Sequence, residues 1–264
     1  MESNSKHIVL RTKNLAIGYS DKSSTTYIAQ ELNITLEKGK LVCLLGKNGI
    51  GKSTLLRTLS KTQHKLEGDI LIDEENLLKI TPARLAQKMS LVLTEKTPEN
   101  QLTVYELIAL GRQPYTDWLG RLSKEDIQKV NQAIELVQIE HIANKKNYEL
   151  SDGQLQKVMI ARALAQDTDI IILDEPTAHL DLHHKIEVFK ILQDLVNKTD
   201  KTIILSTHEV NLALQLADEL WLMTENKFTS GTTESLIESK DLEKLFPKDK
   251  IYFNSELKQF TLKK

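Results

Sequence analysis

The sequence predicts an α/β fold built on a mostly parallel sheet, and three observations carry that expectation. Residues 170–173 (Ile-Ile-Ile-Leu) and 202–205 (Thr-Ile-Ile-Leu) are near-continuous apolar runs ending in Asp174-Glu175 and in Ser206-Thr207-His208. Strands buried on both faces of a parallel sheet read this way, and ligands gather at the carboxyl ends of such strands. Helical segments with capping sequences separate the apolar runs. Finally, Gly46-Lys47-Asn48-Gly49-Ile50-Gly51-Lys52-Ser53 lies between an apolar strand (residues 40–45) and a helical run (residues 53–59).

Taken in order, Ile8-Val9-Leu10-Arg11, Leu15-Ala16-Ile17 and Leu32-Asn33-Ile34-Thr35-Leu36 read as β segments of an antiparallel layer, with residues 20–26 as a polar loop. Lys38-Gly39 is a turn into the strand before the glycine loop. Thr81-Pro82 is an N-cap followed by a first-turn proline. Thr103-Val104-Tyr105-Glu106, Ser123-Lys124-Glu125-Asp126 and Ser151-Asp152-Gly153-Gln154 have the spacing that opens helices. The second of these helices presents Ile127, Val130, Ile134, Leu136 and Val137. After Trp221-Leu222-Met223 the expectation is a helix over residues 236–245 and strand pieces near 251–253 and 260–262.

Composition bounds the function. With 264 residues, 40% of them hydrophobic, the chain is expected to form one domain over residues 1–264, with residues 222–264 as a short C-terminal extension. A net charge of −2 argues against nucleic acid as a partner. No apolar run approaches the ~20 residues that span a bilayer. The first residues lack the apolar core of a signal peptide, so a cytoplasmic location is expected. Cys43 is the only cysteine, which leaves no disulfide framework.

The glycine loop has the spacing G-x-x-x-x-G-K-[ST] of a phosphate-binding loop. Gly46, Gly49 and Gly51 let the backbone curl and aim its N–H groups at phosphate oxygens. Lys47, Asn48 and Thr54 complete the segment. Lys52 would place its charge on the β and γ phosphates, and the Ser53 hydroxyl could ligate Mg²⁺. The helix dipole favours the same anion. Asp174, at a strand tip, could hold Mg²⁺ opposite Ser53. Glu175 could serve an attacking water as general base. The alternative is an acidic pair capping the segment that begins at Pro176.

The order of phosphate loop, Leu150-Ser151-Asp152-Gly153-Gln154, Asp174-Glu175, Ala178-His179-Leu180-Asp181 and His208 resembles the ATPase subunit of ABC transporters, over residues 8–221. The resemblance implies a P-loop nucleotide core, an antiparallel β subdomain and a helical subdomain inserted over about residues 90–165. It implies ATP and Mg²⁺ as ligands, and a homodimer that sandwiches two ATP molecules. Tyr19 matches the aromatic that stacks on adenine. Ser151, Gly153 and Gln154 match the signature that one subunit presents to the γ-phosphate bound by the other. Asp181 matches a dimer-contact aspartate, and His208 the switch histidine that steadies Glu175 and the water. His183 and His184 read as surface helix residues.

The chain departs from the family twice. Asp152 stands where glycine is common, and its side chain is expected to point outward toward arginine or lysine neighbours. Glu95 stands where glutamine is usual. It either ligates Mg²⁺ or faces the partner, with Lys96 and Arg112 as its charged surroundings.

Leu102 to Tyr115, with Ala109-Leu110-Gly111-Arg112-Gln113-Pro114-Tyr115 at its end, resembles a stretch in importers of iron chelates, haem and cobalamin. Locally it reads as a helix stopped by Gly111 and Pro114. Exposed Tyr115 and Trp118 suggest a protein-contact surface. The resemblance implies two integral-membrane permease subunits contacted near Glu95 to Trp118. It also implies a substrate-binding protein engaged indirectly and a peripheral location on the cytoplasmic side of the inner membrane. A soluble ABC-type ATPase of translation or repair, an ABC transporter ATPase for another substrate and a nucleotide kinase remain the alternatives. The kinase does not explain residues 150–154.

Overall fold

The computed structural model describes residues 7–21, 23–93, 101–225, 227–246, 251–254 and 257–262. The strands are β1 (Ile8–Ser20), β2 (Thr25–Leu32), β3 (Thr35–Glu37), β4 (Leu41–Leu45), β5 (Glu67–Ile72), β6 (Glu75–Asn76), β7 (Met89–Val92), β8 (Ile170–Asp174), β9 (Thr202–Ser206), β10 (Glu219–Met223), β11 (Phe228–Gly231), β12 (Ile251–Asn254) and β13 (Gln259–Leu262). The α-helices are α1 (Lys52–Leu59), α2 (Pro82–Lys88), α3 (Val104–Ala109), α4 (Lys124–Val137), α5 (Asp152–Ala165), α6 (Leu182–Thr199), α7 (Val210–Leu216) and α8 (Thr233–Glu238).

The central sheet runs β11-β10-β4-β9-β8-β7 and is parallel except for the β10–β11 pair. Side-chain alternation explains why its strands are apolar throughout. Leu41, Cys43, Leu45, Ile171, Leu173, Ile203 and Leu205 face a cluster that includes α3–α7. Val42, Leu44, Ile170, Ile172, Ile204 and Trp221 face a second cluster made with α1 and the antiparallel layer. That layer is β2-β1-β5-β6, with β3 also on β1.

The expected breaks in the N-terminal layer lie elsewhere. β1 is one 13-residue strand, because Asn14 takes a positive φ of 46° and the ladder shifts register around it rather than ending. β2 starts at Thr25, inside the segment expected to be a loop. The expected strand over residues 32–36 is divided: Asn33 turns out of the sheet, accepting from Asn14 N and donating to Glu31 O.

Four helix starts follow their capping sequences. Thr81 Oγ1 accepts from Arg84 N, and Thr103, Ser123 and Ser151 each form a reciprocal capping box. On α4, Val130, Ile134 and Val137 are buried, whereas Ile127 is exposed at the first turn. The stop expected at Gly111 and Pro114 is a tightening instead: α3 passes into a 3₁₀ helix over Leu110–Tyr115. Gly111 permits this by lying against α5, where an added Cβ would come 2.3 Å from Arg162 O. The expected helix over residues 236–245 is two pieces, α8 and a 3₁₀ turn at Leu242–Lys244. Lys240, at φ 58°, closes α8, and Asp241 N donates back to Leu236 O. β12 and β13 form a hairpin whose Phe253 and Phe260 stack edge-on, with Phe246 beside Phe260.

Candidate functional site

β4, β8 and β9 are adjacent, so their carboxyl ends deliver the glycine loop, Asp174-Glu175 and His208 to one edge of the sheet. The loop between β4 and α1 needs its glycines for different reasons. Gly49 and Gly51 have φ of 75° and 109°, a region most side chains avoid. A Cβ on Gly46 would lie 2.5 Å from Met223 O, at the end of neighbouring β10.

Lys52, 4% exposed, points back under the loop and donates to Gly46 O at 3.0 Å and Lys47 O at 3.3 Å. Glu175 Oε1 is 3.9 Å from its Nζ. Burial holds this ammonium below the usual lysine range, while Glu175 and Asp174 pull in the opposite direction. Ser53 Oγ donates to Asp174 Oδ1 at 2.9 Å, and Ser206 Oγ donates to the same oxygen at 2.7 Å. Ser206 Oγ also accepts from Glu175 N at 2.9 Å. That bond helps hold Glu175 at φ 50°, a conformation that stores about 1 kcal/mol or more of strain. Strand alternation alone would turn Glu175 away from Asp174. The left-handed turn brings both carboxylates to the loop.

His208 Nε2 lies 2.8 Å from Glu175 Oε1 and 3.4 Å from Lys52 Nζ. One ring nitrogen cannot donate to the carboxylate and accept from the ammonium at once. Only one of the two contacts can therefore be a hydrogen bond through Nε2 at a time. Tyr19, 59% exposed, stands at the end of β1 with its hydroxyl oxygen 3.1 Å from Thr54 Oγ1, beside the loop. Lys47 Nζ donates to Glu225 Oε1 at 3.3 Å. Asn48 and Gly49 form the turn at the loop's crest.

Ser151, Gly153, Gln154 and Asp181 stand apart from this constellation. Ser151 caps α5, Gln154 N donates to Ser151 Oγ and Ser151 N donates to Gln154 Oε1. Ser151 and Asp152 are exposed. Asp152 points outward as expected, but among the described residues no ion pair is recorded for it. Asp181 caps α6: its Oδ1 accepts from His184 N at 2.9 Å and lies 2.8 Å from His184 Nδ1. These contacts hold its carboxyl below the usual range. His184 is more than the surface residue expected, since a Cβ on Gly153 would fall 2.6 Å from its ring.

Arg112 overturns its expected place among surface charges. It is buried, with Nε donating to Asp126 Oδ1 at 2.8 Å, an Nη donating to Ala165 O at 2.8 Å, and the Tyr115 ring 3.9 Å from the guanidinium. Trp118 is 90% exposed and Tyr115 partly so. Glu95 and Lys96 lie outside the described residues. Sequence reasoning missed Ser206, whose signal was a polar residue ending an apolar strand beside that of Asp174. It also missed Lys185 and Glu209.

A phosphate loop, a carboxylate pair and a histidine on one sheet edge, with a capped Ser-x-Gly-Gln helix start elsewhere, suit one family. The family model described as ABC transporter matches residues 29–178. The chain belongs to the ABC transporter family. It is an ATP-binding subunit that hydrolyses ATP, and it has the P-loop fold of ABC ATPases. It is 36% identical to the petrobactin import ATP-binding protein FpuD of Bacillus anthracis, over 90% of this chain and 86% of that one. It is 37% identical to the iron(3+)-hydroxamate import ATP-binding protein FhuC of Bacillus subtilis (strain 168), over 79% and 76%. Among solved structures, a transporter described as of metal-chelate type, in an inward-facing conformation, superposes with a TM-score of 0.78 at 27% identity, covering 96% of this chain and 95% of that one. The dimeric post-hydrolysis ATP-binding cassette MJ0796, bound to ADP and Pi, gives 0.72 at 26% identity, covering 84% and 98%.

No helix among the described residues is long and apolar enough to cross a membrane. The longest of the described helices, α6, has 18 residues.

Proposed function

We propose that this chain powers an importer of iron(III) chelates, siderophore complexes foremost, with haem and cobalamin as the neighbouring substrate classes. Relatives matched along most of the chain carry petrobactin import, iron(3+)-hydroxamate import and ferric enterobactin transport in their names, and this supports the reading. In the hydrolytic step, water attacks the γ-phosphorus and gives a proton to the Glu175 carboxylate, and the bond to the ADP oxygen breaks with its electron pair leaving on ADP. Lys52 and the loop N–H groups of residues 46–54 hold the phosphates, His208 orients Glu175 and the water, and Tyr19 stacks on adenine.

Mg²⁺ suits the oxygen set of Ser53 and Asp174, whose Oγ and Oδ1 already meet at 2.9 Å. Among the described residues no three His, Cys, Asp or Glu side chains form a metal cluster. The remaining ligands of such an ion would be phosphate oxygens and water. When bound, Mg²⁺ neutralises charge on the phosphates. Glu95 is proposed as a further ligand, in which case Glu95→Gln requires more Mg²⁺ for half-maximal rate. An unchanged requirement moves Glu95 to the permease face.

Two copies would form the working unit, each phosphate loop completed by the other's Ser151, Gly153 and Gln154, with Asp181 at the contact. The helices of about residues 90–165 would act as a subdomain whose Tyr115–Trp118 edge meets two permease subunits. The assembly would sit peripherally on the cytoplasmic face of the membrane and draw substrate through a binding protein. The start of the expected extension over residues 222–264 is instead part of the core, since β10 and β11 lie in the central sheet and Leu236, Leu242 and Leu245 are buried in the main cluster. Uptake of radioactive iron as ferric siderophore tests the substrate. Cells lacking this gene should lose uptake, the wild-type chain should restore it and Glu175→Gln should not. Undiminished uptake without the gene would refute the assignment.

A further inference from the structure

His208 sits on a three-residue link between β9 and α7, and the question is what holds it against Glu175. Thr207 N donates to Leu44 O at 3.2 Å, and Glu209 N donates to Thr207 Oγ1 at 3.0 Å. Glu209 occupies the N-cap of α7 but makes no side-chain cap bond. Its carboxylate turns the other way, to Lys185 Nζ at 2.6 Å.

Lys185 lies in the first turn of α6, where its N–H donates to Asp181 O at 3.0 Å. The residue before it, His184, binds Asp181 and abuts Gly153. A continuous set of contacts thus runs from the start of α5, through the first turn of α6, to Glu209, His208 and Glu175.

We propose that the Lys185–Glu209 ion pair is a positioning contact that sets His208 on Glu175, tying the hydrolytic site to the α6 start that carries Asp181. It rests on the reading of Glu175 and His208 given above. The two side chains are 24% and 27% exposed, so the pair itself adds little to stability. Its weight falls on geometry, where a displacement of about 1 Å can cost on the order of a hundredfold in rate.

The test is steady-state hydrolysis by the full chain carrying Lys185→Met, Glu209→Gln or Lys185→Arg. Lys185→Met and Glu209→Gln should each lower kcat by roughly tenfold or more with KM for ATP within about twofold, the mark of a lost transition-state alignment. Their melting temperatures should stay within about 3 °C of wild type. Lys185→Arg should keep kcat within about threefold, since it preserves the charge pair. Wild-type kcat in Lys185→Met would overturn the proposal. So would Lys185→Arg failing as badly as Lys185→Met, or kcat, KM and melting temperature falling together. His208→Ala is measured alongside. If it hydrolyses ATP normally, the reading of the site itself is wrong and this inference goes with it. If it is inactive while Lys185→Met is not, only the positioning role is lost.

Discussion

Lys52 and Arg112 are both buried cations with side chains only 4% exposed, and their surroundings differ. Lys52 has two main-chain carbonyls at 3.0 and 3.3 Å, a histidine nitrogen at 3.4 Å and a carboxylate at 3.9 Å. Arg112 has a carboxylate and a carbonyl at 2.8 Å and an aromatic ring over its face. A desolvated cation held by carbonyls, with its nearest carboxylate 3.9 Å away, retains capacity for an anionic ligand. One with short partners on every side is finished structure. Arg112 ties Asp126, the capping-box partner of Ser123 at the start of α4, to the carbonyl of Ala165 at the end of α5.

That contrast breaks most readily at Arg112. Arg112→Met should cost about 3–5 kcal/mol of stability, because it strands the buried Asp126 carboxylate. Burial raises the pKa of Asp126, but bonds from Ser123 and Arg112 outweigh it and hold the group below the usual range. The pair's contribution is therefore complete above the unfolded carboxylate value of about 4 and is lost as pH falls through the lowered folded value. Thermal unfolding across acid pH should show wild type and Arg112→Met converging, and a constant gap would contradict the pairing.

Glu175→Gln should lower turnover about a hundredfold or more, roughly 2.7 kcal/mol of barrier, while ATP binding survives. Light scattering with ATP and Mg²⁺ should show this variant as a dimer. Adding Ser151→Arg should return it to monomer, and a dimer that persists would remove Ser151 from the interface.

Lys52→Ala should weaken ATP binding by about 1.5–3 kcal/mol, one charge-assisted contact, with a melting temperature near wild type. If it unfolds like Arg112→Met, the two cations are alike after all. Tyr19→Phe should be the mildest change, since it keeps the ring and loses only the contact to Thr54. Tyr19→Ala should cost about 1–3 kcal/mol of nucleotide affinity. Equal effects of Phe and Ala would move the role of Tyr19 from its ring to its hydroxyl.

Legibility in the sequence followed how local the cause was. Capping at Thr81, Thr103, Ser123 and Ser151 is decided within four residues, so those helix starts were readable. The strands leading to Asp174 and His208 were readable because a central strand is covered on both faces and so is apolar throughout. Asn14 and Lys240 were not, because a positive φ at a residue other than glycine is chosen by the surrounding ladder or helix end. Arg112 looked like a surface charge until Asp126, fourteen residues on, and Ala165, fifty-three on, were seen to converge on it. Ser206 and Lys185 act through partners 32 and 24 residues away, and nothing in their own neighbourhood announces it.

The phosphate loop also has a history within each molecule's synthesis. It is complete in sequence by Ser53, yet its strand β4 lies between β9 and β10, and Gly46 rests against the carbonyl of Met223. A ribosome must deliver some 170 more residues before those neighbours exist. At the usual ~5–20 residues per second, that leaves an unsupported loop for on the order of ten seconds or more. A nascent chain that stops short of Met223 carries every atom of the motif without the carbonyl against which Gly46 rests. The loop's final shape therefore waits on β10, made some 170 residues after the motif itself.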